Sequence, residues 1–272
     1  MLVPLAVCAT PIGNLDDVTL RVLEELREAE VVLCEDTRRT RILLDRHGIE
    51  ARLVSYHRHN EASRAAEVLE RLGRGERVAL VSDAGLPGVN DPGTRLIRAA
   101  AAGGFDVTVL PGASSVETAL VASGLAGDRY QFVGYLPRRA GELDAFAHSI
   151  ARWPGSVVAF ESPRRLPASL AVLAAAMPQR PAAVCRELTK RYEEVARGTL
   201  DELAARFAAP PRGEITIVLG SSLDDRTKEA PPAEALGAVA ELVAGGVPRR
   251  KAADVVARLT GLSRNDLYRG SL

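Results

Sequence analysis

Aromatic side chains make up only 4% of the sequence, with a single tryptophan. With so few rings, phosphate and shape recognition is expected of any nucleic-acid contact rather than extensive base stacking. Cysteine is equally scarce. Cys8, Cys34 and Cys185 are odd in number, widely spaced and each set in an apolar run. That excludes a disulfide framework and reads as buried thiols in a reducing compartment. Net charge is absent too: 35 basic and 35 acidic residues cancel. No global field draws the protein to nucleic acid or membrane, so any such binding must come from local patches. No uncharged apolar stretch approaches the ~20 residues of a membrane span. The N-terminus, MLVPLAVCATPIGN, has no basic leader region and reads as a first strand. These absences point to a cytoplasmic protein.

Several chemical signatures are missing as well. There is no G-x-G-x-x-G after the first strand, no phosphate loop with its lysine, no H-E-x-x-H, no C-x-x-C and no G-x-S-x-G. A dinucleotide enzyme, a nucleotide-phosphate enzyme, a zinc enzyme and a serine hydrolase each lack their machinery. His57 and His59 form a lone i, i+2 pair, read as capping or hydrogen-bonding groups, and no metal is expected.

What is present is a globular composition, 47% hydrophobic and 26% charged over 272 residues, enough for two domains and a small appendage. Strand and helix patterns alternate from the start. Strands are predicted at Leu5 to Ala9, Val31 to Cys34, Leu53 to Tyr56, Val78 to Val81 and Val107 to Leu110. The first helix takes Asp16 or Asp17 as N-cap and places Leu20, Leu23 and Leu26 on one face. Asn60 caps the third. Such alternation implies right-handed crossovers and a mostly parallel sheet, with the ligand crevice outside the carboxyl ends of its strands.

Those strand ends carry the unusual residues: TPIGN, EDTR, HRHN, SDAGLPG and PGASS. The stretch Gly85 to Gly93 packs two prolines and three glycines into nine residues. It is neither helix nor ladder, and at the exit of a buried strand it is placed to hold a ligand with its backbone.

A second α/β domain begins near Gly127, with apolar runs at Gln131 to Tyr135, Val157 to Phe160, Ala182 to Cys185 and Ile215 to Leu219, and a shorter one at Glu193 to Arg197. Helices are predicted around Leu143 to Ile150 and Leu166 to Met177. Ser221 to Pro232 reads as a polar linker. Beyond it lie short helices with a helix–turn–helix outline, made basic by Arg249, Arg250, Lys251, Arg258, Arg264 and Arg269. Val247, Ala252, Val255, Val256 and Leu259 form the expected inner face, and Ser263 caps the last helix.

The motifs TPIGNLDD, CEDTRRT, YHRHNE, SDAGLPGVNDPG, PGASS, FESPRR, RELTKRYEE and RGEITIV fall in order. In them the chain resembles the ribosomal RNA small-subunit methyltransferase I family, of the tetrapyrrole-methylase-like class. The resemblance covers residues 1 to about 220, and the C-terminal piece also looks like the family's helix–turn–helix extension. It implies two α/β domains of that type (1–112 and 113–220) with a cofactor cleft between them, a linker (221–232) and an extension (233–272), usually as a homodimer. It implies S-adenosylmethionine as cofactor, touching Pro11, the backbone of Asp83, Ala84 and Gly85, then Val89, Asn90, Ala113, Ser114 and Ser115. From the second domain it implies Phe160, Leu188, Glu214, Ile215 and Thr216. Four positions depart from the family pattern: Leu86 stands for a threonine, Val89-Asn90 are variants of the usual pair, and Arg58 replaces a common acidic residue.

The reaction implied is methylation of the 2′-hydroxyl of a cytidine in the decoding region of small-subunit rRNA. Alignment does much of the work in such a displacement, and a group accepting the hydroxyl proton helps. Asp36, Glu35, Asp83, His57 and Glu187 are the candidates, with Lys190 to lower the hydroxyl's pKa or hold a phosphate. RNA contact falls to Arg138, Arg139, Arg164, Arg165, Arg212, Arg249, Arg250 and Lys251. The rivals are a precorrin-type tetrapyrrole methylase on the same fold and a ribosome-associated protein that holds adenosylmethionine without turnover.

Overall fold

A computed structural model describes residues 5–222 and 233–272, so the linker expectation falls outside the described residues from 223 onward. The chain forms two compact units, residues 1–220 and 221–272.

In the first half of the larger unit, β1 (Leu5–Cys8), β2 (Val31–Cys34), β3 (Leu53–Ser55), β4 (Val78–Val81) and β5 (Val107–Leu110) form one sheet in the order β3-β2-β4-β1-β5. Every pairing is parallel. The three central strands are buried at all four positions, which is why each reads as an unbroken apolar run. The period of two splits them between layers. Ala6, Cys8, Val32, Cys34, Ala79 and Val81 pack on α1 (Leu20–Glu28) and α2 (Thr37–Arg46). Leu5, Val7, Val31, Leu33, Val78 and Leu80 pack on α3 (Glu61–Gly73) and α4 (Thr94–Ala102).

The second sheet runs β6-β7-β10-β8-β9, from β6 (Tyr130–Tyr135), β7 (Ser156–Glu161), β8 (Pro181–Arg186), β9 (Glu194–Thr199) and β10 (Ile215–Leu219). Only β6 and β7 pair in parallel. One face is covered by α6 (Ala140–Ile150), α7 (Leu166–Ala176) and α8 (Leu200–Arg206). On the other, α5 (Ser115–Ser123) packs with Ile12 of the first half, so the TPIGN loop joins the two sheets in one core.

Several local expectations are corrected. Thr19, not Asp16 or Asp17, caps α1, accepting from the Val22 N–H at 3.3 Å. Asn14 instead caps a single 3-10 turn, Leu15–Asp17. Leu20 is then the first helical residue and is 84% exposed. The Asn60 side chain makes no cap. Its Oδ1 accepts from the His57 N–H at 2.8 Å, and its Nδ2 donates to the Ser55 carbonyl at 3.0 Å. The helix α8 was not foreseen, although its capping box, Thr199 with Glu202, stands in the sequence. All three cysteines are free and buried, and burial pushes the Cys8 thiol up to about 12.

The smaller unit comprises α9 (Ala233–Ala244), α10 (Arg249–Thr260) and α11 (Arg264–Gly270) around Val239, Ala252, Val256 and Leu267. Ser263 caps α11. Leu259 is exposed, and Ala253 fills the inner face in its place. Among the described residues no helix is long and apolar enough to cross a membrane.

Candidate active site

The carboxyl ends of β1, β2, β4 and β5 open on a cleft of about 620 Å³ between the two sheets. Its floor is a backbone junction. The Thr10 N–H donates to the Gly85 carbonyl at 2.8 Å, and the Gly85 N–H returns a bond to the Thr10 carbonyl at 3.0 Å. The Thr10 hydroxyl donates to the Ser82 carbonyl at 3.0 Å. Gly85 has φ +77°, open to glycine at little cost, so the strand-exit loop can turn its backbone along the cleft. Asn90, at φ +67°, takes the same region in a residue with a short polar side chain.

Every residue expected at the cofactor borders this cleft except Pro11, whose neighbour Ile12 does. The second sheet contributes an aromatic wall: Phe132 and Phe160 meet edge-on at 4.8 Å between ring centroids, and Tyr135 and Phe160 at 5.6 Å. Tyr135 is 60% exposed at the rim.

The candidate acids and bases divide. Glu35 and Asp83 border the cleft, whereas Asp36, His57, Glu187 and Lys190 do not. Asp36 caps α2 and pairs with Arg38 at 2.7 Å. The Arg38 guanidinium and N–H hold its carboxyl down to about 2. Asp83 accepts from the Asp36 N–H at 3.0 Å and lies 3.6 Å from Arg39. Lys190 ties two carboxylates together, 3.1 Å from Glu187 and 3.0 Å from Glu214. Burial alone would lower the Lys190 ammonium; its bonds to Glu214 and Glu187 outweigh that and raise it. The Glu214 N–H donates to Glu187 Oε1 at 2.8 Å and holds that carboxyl below the usual range against the cost of burial.

The arginines expected at RNA also divide. Arg138, Arg139, Arg164 and Arg212 are exposed. Arg165 is turned inward: its Nη2 donates to Glu161 Oε2 at 2.9 Å and to the Leu136 and Pro137 carbonyls. The Glu161 side chain is fully buried. On α10, Arg250 and Lys251 are exposed and Arg249 is half-buried.

Two features were not foreseen. Asp91 borders the cleft, and burial, reinforced by the charges of Glu35 and Asp83, pushes its carboxyl up to about 6 against the pull of Arg58. Glu35 is raised by the same burial and by Asp83. Spacing does not show either shift, because Glu35 follows β2 while Asp83 and Asp91 lie in the loop after β4, and only the fold brings the two loops together. The second feature links two departures from the family pattern: Arg58 Nη2 donates to the Asn90 carbonyl at 2.6 Å, which an acidic residue cannot do. Among the described residues no group of His, Cys, Asp and Glu is placed to hold a metal ion.

The comparisons agree with this picture. The family model described as Tetrapyrrole (Corrin/Porphyrin) Methylases matches residues 4–204. A second, described as the RsmI C-terminal HTH domain, matches residues 229–270. A protein of Mesorhizobium japonicum named ribosomal RNA small subunit methyltransferase I is 43% identical over 96% of this chain and 88% of its own length. Its namesake in Micromonospora olivasterospora is 45% identical over 95% and 83%. Among solved structures, the methyltransferase CobJ superposes with a TM-score of 0.62 at 22% identity, covering 80% of this chain and 94% of its own. Uroporphyrin-III C-methyltransferase from Thermus thermophilus, solved with S-adenosyl homocysteine, gives 0.56 at 21% over 80% and 98%. At such identities the two structures speak for the fold alone.

Proposed function

The chain belongs to the ribosomal RNA small subunit methyltransferase I family of tetrapyrrole methylases, and we propose that it transfers a methyl group from S-adenosylmethionine to the 2′-hydroxyl of a cytidine in the decoding region of small-subunit (16S) ribosomal RNA. The observation that carries the reading is the cleft itself, where polar strand ends of one sheet face an apolar aromatic wall of the other.

The residues present suit the cofactor. Ser114 precedes α5, and its hydroxyl donates to Glu117 rather than capping the helix. The Glu117 carboxylate takes its own N–H, and those of Ser115 and Val116 remain for an anion such as the methionine carboxylate. Phe160, Leu188 and Ile215 offer apolar surface to a purine, and the Asp83–Gly85 backbone offers donors and acceptors between these ends. Bound there, the cofactor supplies a methyl group on a sulfonium. The protein's part is to align the acceptor, exclude water and take up a proton, with no metal required.

RNA is held by exposed arginines. Arg138, Arg164 and Arg212 in the larger unit, and Arg250 and Lys251 in the smaller, offer phosphate contacts. The reading completes as a cytoplasmic homodimer acting on rRNA or the assembled small subunit.

The test is methyl incorporation from labelled S-adenosylmethionine into naked small-subunit rRNA, assembled subunits lacking the modification, and a precorrin-type tetrapyrrole. Label in RNA, resistant to alkaline cleavage at one cytidine, is the expected outcome. Label only in the tetrapyrrole overturns the substrate. No label, with the cofactor still bound, favours a non-catalytic holder.

A further inference from the structure

Six carboxylates border the cleft, and four of them are occupied. Glu161 is paired with Arg165 and accepts from the Ser162 N–H at 2.6 Å. Glu214 is held by Lys190. Glu117 accepts from Ser114 and from the Tyr130 hydroxyl, the latter at 2.8 Å. Asp83 takes the Asp36 N–H and faces Arg39. Glu35 and Asp91 border the same cleft, and among the described residues no basic side chain reaches either within ion-pair distance; Asp91 is touched by the Ser82 hydroxyl alone. Asp91 has a second property. It also borders an adjoining cavity of about 330 Å³ that Arg58, Glu61 and Arg95 line as well. It therefore stands on the partition between the cleft and a second space.

We propose that Asp91 is the catalytic proton acceptor, taking the proton of the acceptor hydroxyl from the cleft and releasing it through the adjoining cavity. This rests on the 2′-O-methylation reading above. In the step, the 2′-oxygen bonds to the methyl carbon as the carbon–sulfur bond breaks and its electron pair stays on sulfur. The hydroxyl proton passes to an Asp91 carboxylate oxygen and then to water. Glu35 acts through Asp91 as a positioning residue, since its charge makes the neighbouring carboxylate harder to ionise and so a better base.

The groups that face Asp91 are accounted for by element. Glu35 ends β2, and Asp83 with Ser82 ends β4. Arg58 follows β3, Glu61 opens α3 and Arg95 lies on α4. Glu35 in turn feels His57, Arg58 and Arg39. Burial and the two carboxylates outweigh Arg58 and the Ser82 hydroxyl bond, and the Asp91 carboxyl is pushed up to about 6. Activity is then expected to rise with pH through that region and level off above it.

The test uses the full chain and small ribosomal subunits lacking the modification. D91N is expected to lower kcat about 100-fold or more. Its affinity for S-adenosyl homocysteine by calorimetry should stay within about 3-fold of wild type, and the acidic limb of the pH profile should vanish. E35Q is expected to move that limb to lower pH. An activity-free readout accompanies both: the Asp91 carboxyl resonance in the isolated protein titrates near 6, and lower in E35Q. Normal kcat in D91N, or a limb and resonance unmoved by E35Q, overturns the assignment. If D91N fails to bind the product, the E35Q shift alone decides. Wild type that binds the cofactor yet labels no RNA overturns the functional reading itself, and this inference with it.

Discussion

The backbone N–H of Asn14 donates to Thr189 Oγ at 2.9 Å. One residue belongs to the loop after β1 and the other to the loop after β8, so this bond joins the two sheets beside the cleft. Beside it, the chain has no room. A Cβ on Gly13 would lie 2.5 Å from Lys190 Cγ, 2.6 Å from Thr189 Oγ and 2.7 Å from the Leu188 carbonyl. Thr189 is itself at φ +63° and Glu187 at φ +52°, so the receiving loop is already held in a sparsely populated conformation.

Gly13→Ala is therefore expected to separate these loops. The Leu188 carbonyl is backbone and cannot swing aside as a flexible side chain can. Overpacking of this kind costs about 1–3 kcal/mol. The melting temperature should fall by about 2–10 °C, and cofactor affinity should fall with it because Leu188 borders the cleft. Thermal unfolding with and without S-adenosyl homocysteine checks both. An unchanged melting temperature would mean that the loops are free to part.

Arg164 and Arg165 are adjacent and lead opposite lives. Arg165 is the partner of a fully buried carboxylate, and Arg164 is exposed. Removing one member of a buried pair leaves an uncompensated charge and costs about 3–5 kcal/mol. Arg165→Ala is expected to lower the melting temperature sharply at any salt concentration. Arg164→Ala should leave it unchanged and weaken RNA binding in a salt-dependent way. Unfolding curves and RNA binding at two salt concentrations distinguish the pair.

This pair also shows what the sequence carries and what it hides. β2 and β4 are read to the residue because a parallel strand buried on both faces leaves an apolar run with polar ends. The cleft is legible for the same reason: in a parallel sheet, motifs spaced far apart along the chain must end on one edge. Leu20 and Leu259 mislead because they lie in the first and last turns of their helices, where the apolar stripe need not meet a partner. Whether Arg165 faces Glu161 or water depends on the close of β7, which no local pattern encodes. Asp91 is hidden more deeply. Its character comes from Glu35 and Asp83, 56 and 8 residues away along the chain, and from burial that only the assembled loops create.

The raised carboxyl of Asp91 carries a stability consequence. A carboxyl moved from 3.8 to about 6 on folding favours the folded state while protonated. That advantage is complete below about pH 4 and is lost as pH rises through 6, so at neutral pH the charged group opposes folding. Asp91→Asn removes the charge. Its melting temperature is expected to exceed that of wild type by about 2 °C or more at pH 7.5, with the difference closing at about pH 4. Parallel melts at the two pH values measure it. A variant less stable than wild type at pH 7.5 would show that Asp91 is held by bonds worth more than its burial costs.

The helical unit gives the last expectation. Arg249, Arg250 and Lys251 form the first turn of α10, with Arg250 and Lys251 exposed. Three cations there add to the positive end of the helix dipole instead of opposing it, an arrangement that costs stability in isolation. Such a cluster is intelligible if an anion completes it, and a phosphodiester backbone is the anion the proposed substrate presents. Each phosphate contact contributes about 0.7 to 0.9 to the slope of log affinity against log salt. Replacing all three by alanine should therefore weaken RNA binding and flatten that slope by about 2 to 3. Because the change also relieves repulsion within the turn, the melting temperature should hold or rise. Weaker binding with an unaltered slope would mean that the helices contribute shape rather than charge. Unaltered binding would reduce the unit to a structural cap.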